Sequence, residues 1–378
     1  MEKETLFQTT MGDTVLRYSD AIVLQFNGNR NVASTSALNG GARSDLKFAF
    51  NKSCGRELHG KTCPGLKGAT HVEHFATIAG ELGLVADEST GMGTAALVEN
   101  MAVVSESYNE LSVTAMVTAG VDVNGGRAGD VARYDELTKQ HINISPSSGT
   151  INMFLLINAN VPDGTLTRAI VTATEAKSVA LQELMANSMY STGLATGSGT
   201  DSTIAVGNLD SPIYLENAGK HCKLGELIGT AVIKAVKDAL DRQSGMNIVR
   251  QSSVLWQNKR YGITADKIWM YYTHIFGAES LSRELFDVNL ANCDRNKTVV
   301  AYMASAVHLI DQYSWGLLDE NAVHDVVGAQ IKAFRAAFGL PELKGHSSDS
   351  HKNMPPRSFQ DKMISPLIAT MAYLCHKS

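Results

Sequence analysis

A chain of 378 residues, 44% hydrophobic and 19% charged, can bury a substantial core and has the composition of a globular protein, not a disordered one. Its net charge of -5 excludes a general nucleic-acid binder, because holding a phosphate backbone takes a clustered excess of Lys and Arg. No apolar run approaches the roughly 20 residues that cross a bilayer, and the start MEKETLFQTT lacks the basic, apolar and small-residue pattern of a signal peptide. Small molecules or proteins are the expected partners, and the cytoplasm the expected compartment. Five cysteines (Cys54, Cys63, Cys222, Cys293, Cys375) make no disulfide framework, and reduced thiols suit that compartment.

In chain order, TVLRY and AIVLQF between Thr14 and Phe26 are short β-rich runs separated by Ser19-Asp20, the composition of a hairpin. The loop STSALNGGARSD follows, where Asn39 and Gly40 offer an amide and a close approach to the backbone. Cys54, His59, Cys63, His71 and His74 are all residues that zinc accepts, but their spacing matches no strong zinc pattern, so a metal here is left unknown. The apolar spacing of HVEHFATIAGELGL explains His71 and His74 as members of an ordinary amphipathic helix. A second hairpin is expected from Met101–Ser107 and Leu111–Ala119. It leads into GVDVNGGRAGD, a loop whose Gly125 and Gly126 amides can face a ligand and which ends on Asp130.

Ile151–Ile157 is an almost continuous apolar run, as befits a central strand covered on both faces; Thr150 stands at its head and Asn152 within it. Pro162-Asp163-Gly164 ends it, and a helix capped by Asp163 or Thr165 is expected to run to about Asn187. Lys177 falls in that helix's apolar stripe, where an ammonium must either reach water or meet an acid or a ligand. Glu175 lies on the opposite side. The helix gives way to STGLATGSGTDS, where Gly197, Ser198, Gly199, Thr200 and Asp201 form a polar ligand loop that is neither a Walker loop nor a dinucleotide fingerprint. A clear amphipathic helix spans His221–Arg242, with His221 capping its start, and Gln243-Ser244-Gly245 breaks the pattern. The remainder lacks strand alternation, and helices are expected at Ala265–Phe276, Lys297–Trp315, Asn321–Phe338 and Gln360–Leu374. The fold class is therefore α+β: a mainly antiparallel sheet packed with helices in residues 1–245, then an all-helical region in residues 246–378.

The segments STSALNGG (34–41), ELGL (81–84), VTAMVTAG with its AGD (128–130), GTIN (149–152), DGTLTRAIVTATEAKSVALQEL, STGLATGSGTD and GKHCKLGELI (219–228) resemble the adenosylcobinamide amidohydrolase family of corrinoid salvage. The resemblance covers most of residues 13–242 and implies hydrolysis of the aminopropanol amide of adenosylcobinamide to adenosylcobyric acid. The cobalt then belongs to the corrinoid substrate, and no bound cofactor is required. Amide hydrolysis needs a nucleophile, an oxyanion site and a proton for the amine, and neither a GxSxG elbow nor HExxH is present. Candidate catalytic residues are Asp130 or Asp201 as base, Lys177 for charge stabilisation and Thr150 as side-chain nucleophile. Candidate substrate-binding residues are Asn39, Gly40, Gly125, Gly126, Asn152, Glu175, Gly197, Ser198, Gly199 and Thr200. A non-catalytic corrinoid carrier and, behind it, a phosphate-handling transferase are the rival readings. A homo-oligomer stays open.

Overall fold

The computed structural model describes residues 3–54, 65–142, 149–343 and 358–377. The chain divides into two compact units, Met1–Asn247 and Ile248–Ser378. The first carries thirteen strands among the described residues: β1 (Glu4–Gln8), β2 (Thr14–Arg17), β3 (Ala21–Gln25), β4 (Arg30–Ser34), β5 (Gly41–Arg43), β6 (Phe48–Ser53), β7 (Ser89–Thr94), β8 (Ala102–Tyr108), β9 (Leu111–Ala119), β10 (Tyr134–Asp135), β11 (Gln140–His141), β12 (Ile151–Ile157) and β13 (Ser202–Asn208). Its helices are α1 (His71–Glu81), α2 (Asp163–Glu183) and α3 (Lys223–Ser244).

The expected α+β class holds, but the antiparallel strands form two sheets, not one. The first has the order β1-β2-β3-β6-β7 and the second β5-β4-β13-β12-β9-β8, with β10-β11 a small separate ribbon. Both expected hairpins, β2-β3 and β8-β9, are present. Each sheet also has one parallel pair: β6 with β7, connected through α1, and β12 with β13, connected through α2. Alternation of side chains along the strands sets the layers. Met153, Leu155 and Ile157 of β12 face α2 and α3, whereas Phe154 and Leu156 face the first sheet along with Ile22, Leu24 and Met92. On the outer side of the first sheet, Val23 and Phe50 meet Ile78 and Ala79 of α1. The unit is thus helix, sheet, sheet, helices. A double-sided burial of this kind is why β12 reads as continuously apolar, and it is central in its sheet as expected.

α2 begins one residue after Pro162, whose side chain makes no cap bond, so neither Asp163 nor Thr165 caps it. Asp163 lies in the first turn instead, where a carboxylate complements the helix dipole. The helix stops at Glu183, short of the expected Asn187, because Met185 turns into the left-handed region at φ 49°. α3 starts at Lys223 behind Cys222, which leaves His221 exposed outside the helix without a capping role. Gly245, at φ 68°, terminates it.

Among its described residues the second unit carries helices and no strand: α4 (Ile248–Gln251), α5 (Val254–Asn258), α6 (Ala265–Phe276), α7 (Arg283–Arg295), α8 (Lys297–Ser314), α9 (Glu320–Ala337) and α10 (Phe359–Lys377). Its core gathers Tyr272, Phe286, Met303, Ile310, Phe334 and Leu367. Trp269 stacks on Tyr272 at 5.5 Å between ring centres against this core. Among the described residues, no helix is long and apolar enough to cross a membrane.

Candidate active site

The second sheet's topology gathers the loops that carry the sequence motifs. β12 and β13 run parallel with Asn152 opposite Ser202, so both begin at the same edge. Their outer neighbours β9 and β4 run antiparallel, pairing Ala119 with Ile151 and Ser34 with Ile204, and therefore end there. The loops after Ser34, after Ala119, before Ile151 and before Ser202 accordingly converge on one rim. At that rim Thr35 Oγ1 lies 2.7 Å from Ser202 Oγ.

Lys177 projects from the α2 face that buries Ala173, Ala176 and Ala180, and its ammonium lies 2.5 Å from Asp201 Oδ2. Of the two fates open to a Lys on an apolar face, it takes the acid. Both side chains are only 12% and 13% exposed. The Asp201 carboxylate accepts three more bonds: from Ile151 N at 2.9 Å, Ser198 N at 3.0 Å and Ser198 Oγ at 2.6 Å. Asp201 is thus the hub that ties α2, the head of β12 and the Ser198 turn together. Gly197 is dictated by this crowding, since a Cβ there would sit 2.2 Å from Asp201 Oδ2 and 2.9 Å from Lys177 Nζ.

Gly197 also pairs with Gly126 in an isolated antiparallel bridge, Gly126 N donating to Gly197 O at 2.9 Å. The bridge joins the AGD loop to the Ser198 turn. On its other member, the nearest carboxylate is Asp130, 3.9 Å from where a Gly126 Cβ would be. Asp130 Oδ2 accepts from Arg127 N at 2.7 Å and Ser188 Oγ at 2.6 Å. Burial works to raise the Asp130 carboxyl, but bonds from Ser188, Ser191 and the Arg127 amide, with the Arg127 charge, outweigh it and hold the group below the usual carboxylate range. The Arg133 guanidinium stacks over the Tyr190 ring at 3.7 Å.

Thr150 is almost fully buried; its hydroxyl donates to Thr200 O at 3.0 Å and lies 2.5 Å from Thr200 Oγ1. Thr200 itself is exposed, and its Oγ1 is 3.5 Å from Ser198 Oγ. The Asn124 amide bonds to Gly149 O, locking the AGD loop to the head of β12.

The family model for Adenosylcobinamide amidohydrolase matches residues 4–248. The chain belongs to that family. An uncharacterized protein of Methanocaldococcus jannaschii is 31% identical over 245 residues, which cover 62% of this chain and 91% of that protein. A Methanosarcina mazei protein named adenosylcobinamide amidohydrolase is 29% identical over 217 residues, covering 55% of this chain and 90% of its own length. The matched residues nearly coincide with the first unit, and the helical unit stands outside the family match.

The structure therefore brings Lys177, Asp201, Gly197, Ser198, Thr150 and Thr200 into one network in the family domain, and the glycine bridge sets Gly126 and Asp130 beside it. Gly125 lies in the same loop and Gly199 in the Ser198 turn. Other candidates stand elsewhere or are otherwise engaged. Glu175 forms an exposed pair with Lys220 at 3.1 Å on the far side of α2. Asn152 points between the sheets, where its amide donates to Asn51 Oδ1 at 2.9 Å and Gly93 O at 2.8 Å. Asn39, at φ 50°, clamps the 86–89 segment by donating to Ala86 O and Ser89 O, both at 2.8 Å, and Gly40 packs against Ser36 O. Sequence reasoning singled out none of Ser188, Tyr190 and Arg133, though all lie within or beside the two glycine loops.

Of the Cys/His set, His59 and Cys63 lie outside the described residues. Cys54 is disulfide-bonded, which corrects the expectation of reduced thiols for that residue and removes a thiolate ligand. His71 and His74 are in α1, as their spacing predicts, and His74 Nδ1 accepts from Lys67 N at 2.9 Å. Burial, with the charges of His71 and Lys67, pushes His74 below the usual imidazole pKa. Among the described residues no group of three or more His, Cys, Asp or Glu is arranged to hold a metal.

Proposed function

We propose that the protein hydrolyses the aminopropanol amide of adenosylcobinamide, giving adenosylcobyric acid, with the cobalt carried by the substrate and no protein-bound cofactor taking part. The observation that carries this reading is the Lys177–Asp201–Ser198 network at the strand-end rim of the family domain. Ser198 is the attacking hydroxyl. It donates to Asp201 at 2.6 Å and is half-buried, whereas Thr150 is covered and spent on Thr200. As Ser198 Oγ bonds to the amide carbon, its proton passes to Asp201, and the carbonyl oxygen gains negative charge beside the Lys177 ammonium. Asp201 returns that proton to the departing aminopropanol nitrogen, and water then releases the acyl group by the same route. Asp130, held ionised by its hydrogen bonds, fixes the AGD loop against the Gly126–Gly197 bridge, which forms the substrate-binding wall.

The deciding assay incubates the purified chain with adenosylcobinamide and follows products by mass spectrometry. Aminopropanol and adenosylcobyric acid are expected in equal amounts. Substrate recovered unchanged would overturn the enzyme reading, and retained but unconverted substrate would favour a corrinoid carrier.

A further inference from the structure

The second unit contains a cavity of about 280 Å³ between α9, α10 and the segment after α9. Val327, Ile331, Leu340 and Met363 form apolar walls, and Arg335 lines it from within the core, only 3% exposed. Among the described residues the Arg335 guanidinium is held by neutral groups alone. Nε and Nη2 donate to Pro341 O at 2.7 and 2.5 Å, Nη1 donates to Thr370 Oγ1 at 3.1 Å, and the Tyr373 ring lies 4.4 Å away. The other two buried arginines among the described residues behave differently: Arg30 pairs with Asp13 at 2.9 Å and Arg260 with Asp311 at 2.5 Å. Burying a cation without an anion is costly, so the exception calls for a physical reason. A guanidinium has five N–H donors and these bonds use about three, which leaves donors for a guest.

We infer that this cavity binds an amphipathic monocarboxylate, its carboxylate on Arg335 and its short alkyl chain against Val327, Ile331 and Met363. A carboxylate matches the planar fork of Arg and supplies the missing negative charge. The apolar walls take the chain by the ordinary hydrophobic effect. The volume lies just below the usual range for ligand pockets, about 300–1,000 Å³, which selects a guest of medium chain length and excludes a corrinoid. Lys332 stands at the rim and adds a second positive charge; Glu342 is also there but is exposed and makes no ion pair with Arg335 among the described contacts. Burial lowers the Arg335 pKa from its ordinary value, yet a guanidinium keeps its charge at neutral pH.

The test is isothermal titration of the full chain with octanoate and, as a neutral counterpart of the same length, octan-1-ol. Octanoate is expected to bind at least tenfold more tightly than octanol, and Arg335→Met to abolish that preference. Because Arg335 is a core residue whose loss can unfold the unit, Gly328→Leu is the second variant. Gly328 lines the cavity and a Cβ there meets no atom within 4 Å, so α9 accommodates a side chain at this position, and a leucine is expected to narrow the cavity. That variant is expected to keep its helical circular dichroism and lose octanoate binding. Equal affinity for acid and alcohol, no octanoate binding by the parent chain, or undiminished binding by Gly328→Leu would each overturn the proposal.

Discussion

Arg260–Asp311 in the helical unit and Lys177–Asp201 in the family domain are both buried cation–aspartate pairs, but they differ in what else holds the carboxylate. In the helical unit, Arg260 Nη1 and Nη2 meet Asp311 at 2.5 and 2.6 Å in a fork, and the Tyr261 hydroxyl adds a bond at 2.8 Å. The Arg260 side chain is 1% exposed and that of Asp311 11%. In the family domain, Lys177 gives Asp201 a single point contact, and the rest of that carboxylate is bonded to a loop hydroxyl and loop amides at a strand-end rim. A bidentate Arg is a fixed structural joint; a Lys on a carboxylate that also holds a half-buried hydroxyl has protons to move. The difference in partners, not in burial, is what singles out the second pair as the one proposed to react.

The largest effect should come from breaking the second pair. Asp201→Asn keeps the shape but cannot take a proton or hold Lys177 by charge, and turnover of adenosylcobinamide is expected to drop by about 10³-fold or more, roughly 4 kcal/mol of barrier. Steady-state kinetics with a circular-dichroism melt would check it; turnover within tenfold of the parent would remove Asp201 from the chemistry. The first pair should respond the other way. Arg260→Leu strands the Asp311 carboxylate in the core and is expected to cost about 3–5 kcal/mol of stability in a urea titration. A loss below 1 kcal/mol would show that water already relieves that pair.

A smaller, pH-dependent effect separates the pairs further. Burial, reinforced by the Asp311 charge, pushes the Tyr261 hydroxyl up to about 12. A group whose pKa is raised on folding contributes stability that is complete below its unfolded value, about 10, and is lost as pH rises through the folded value. The helical unit should therefore weaken between about pH 10 and 12, and Tyr261→Phe should flatten that part of the curve. Equal slopes for parent and variant across that window would contradict the assignment.

Much of this contrast was legible in the sequence, and the reasons differ by element. The continuous apolar run of β12 fits a strand covered twice, and the stripe of α2 put Lys177 on its inner face, so a charge that must either reach water or find a partner followed from periodicity alone. That the partner is Asp201 depends on the parallel β12–β13 crossover, which brings residues 24 apart to one rim and which no local pattern encodes. The split into two sheets was hidden for the same reason: strand existence is local, whereas partner choice is set by which faces can be buried. α7 was missed because Arg, Glu, Asp and Asn crowd its short span, although Phe286, Leu290 and Cys293 do share one face. Asn152 and Asn39 looked like ligand groups because a polar side chain near a glycine motif is ambiguous. One satisfies a buried backbone carbonyl and the other pins a neighbouring loop.

The smallest expected effect is the sharpest control on this picture. Glu175 and Lys177 stand two residues apart on α2, about 200° around the helix, and only Lys177 faces the strand-end rim. Glu175 is 45% exposed and its partner Lys220 60%, so water screens the pair, and such surface bridges contribute about 0–1 kcal/mol. Glu175→Gln is expected to leave turnover within about twofold and the melt unchanged, while Lys177→Met should approach the loss seen with Asp201→Asn. If Glu175→Gln instead raised KM severalfold with kcat intact, the substrate would have to extend across the outer face of α2 to Lys220. The rim defined by Asp201, Ser198 and the glycine bridge would then be one end of a larger corrinoid-binding surface.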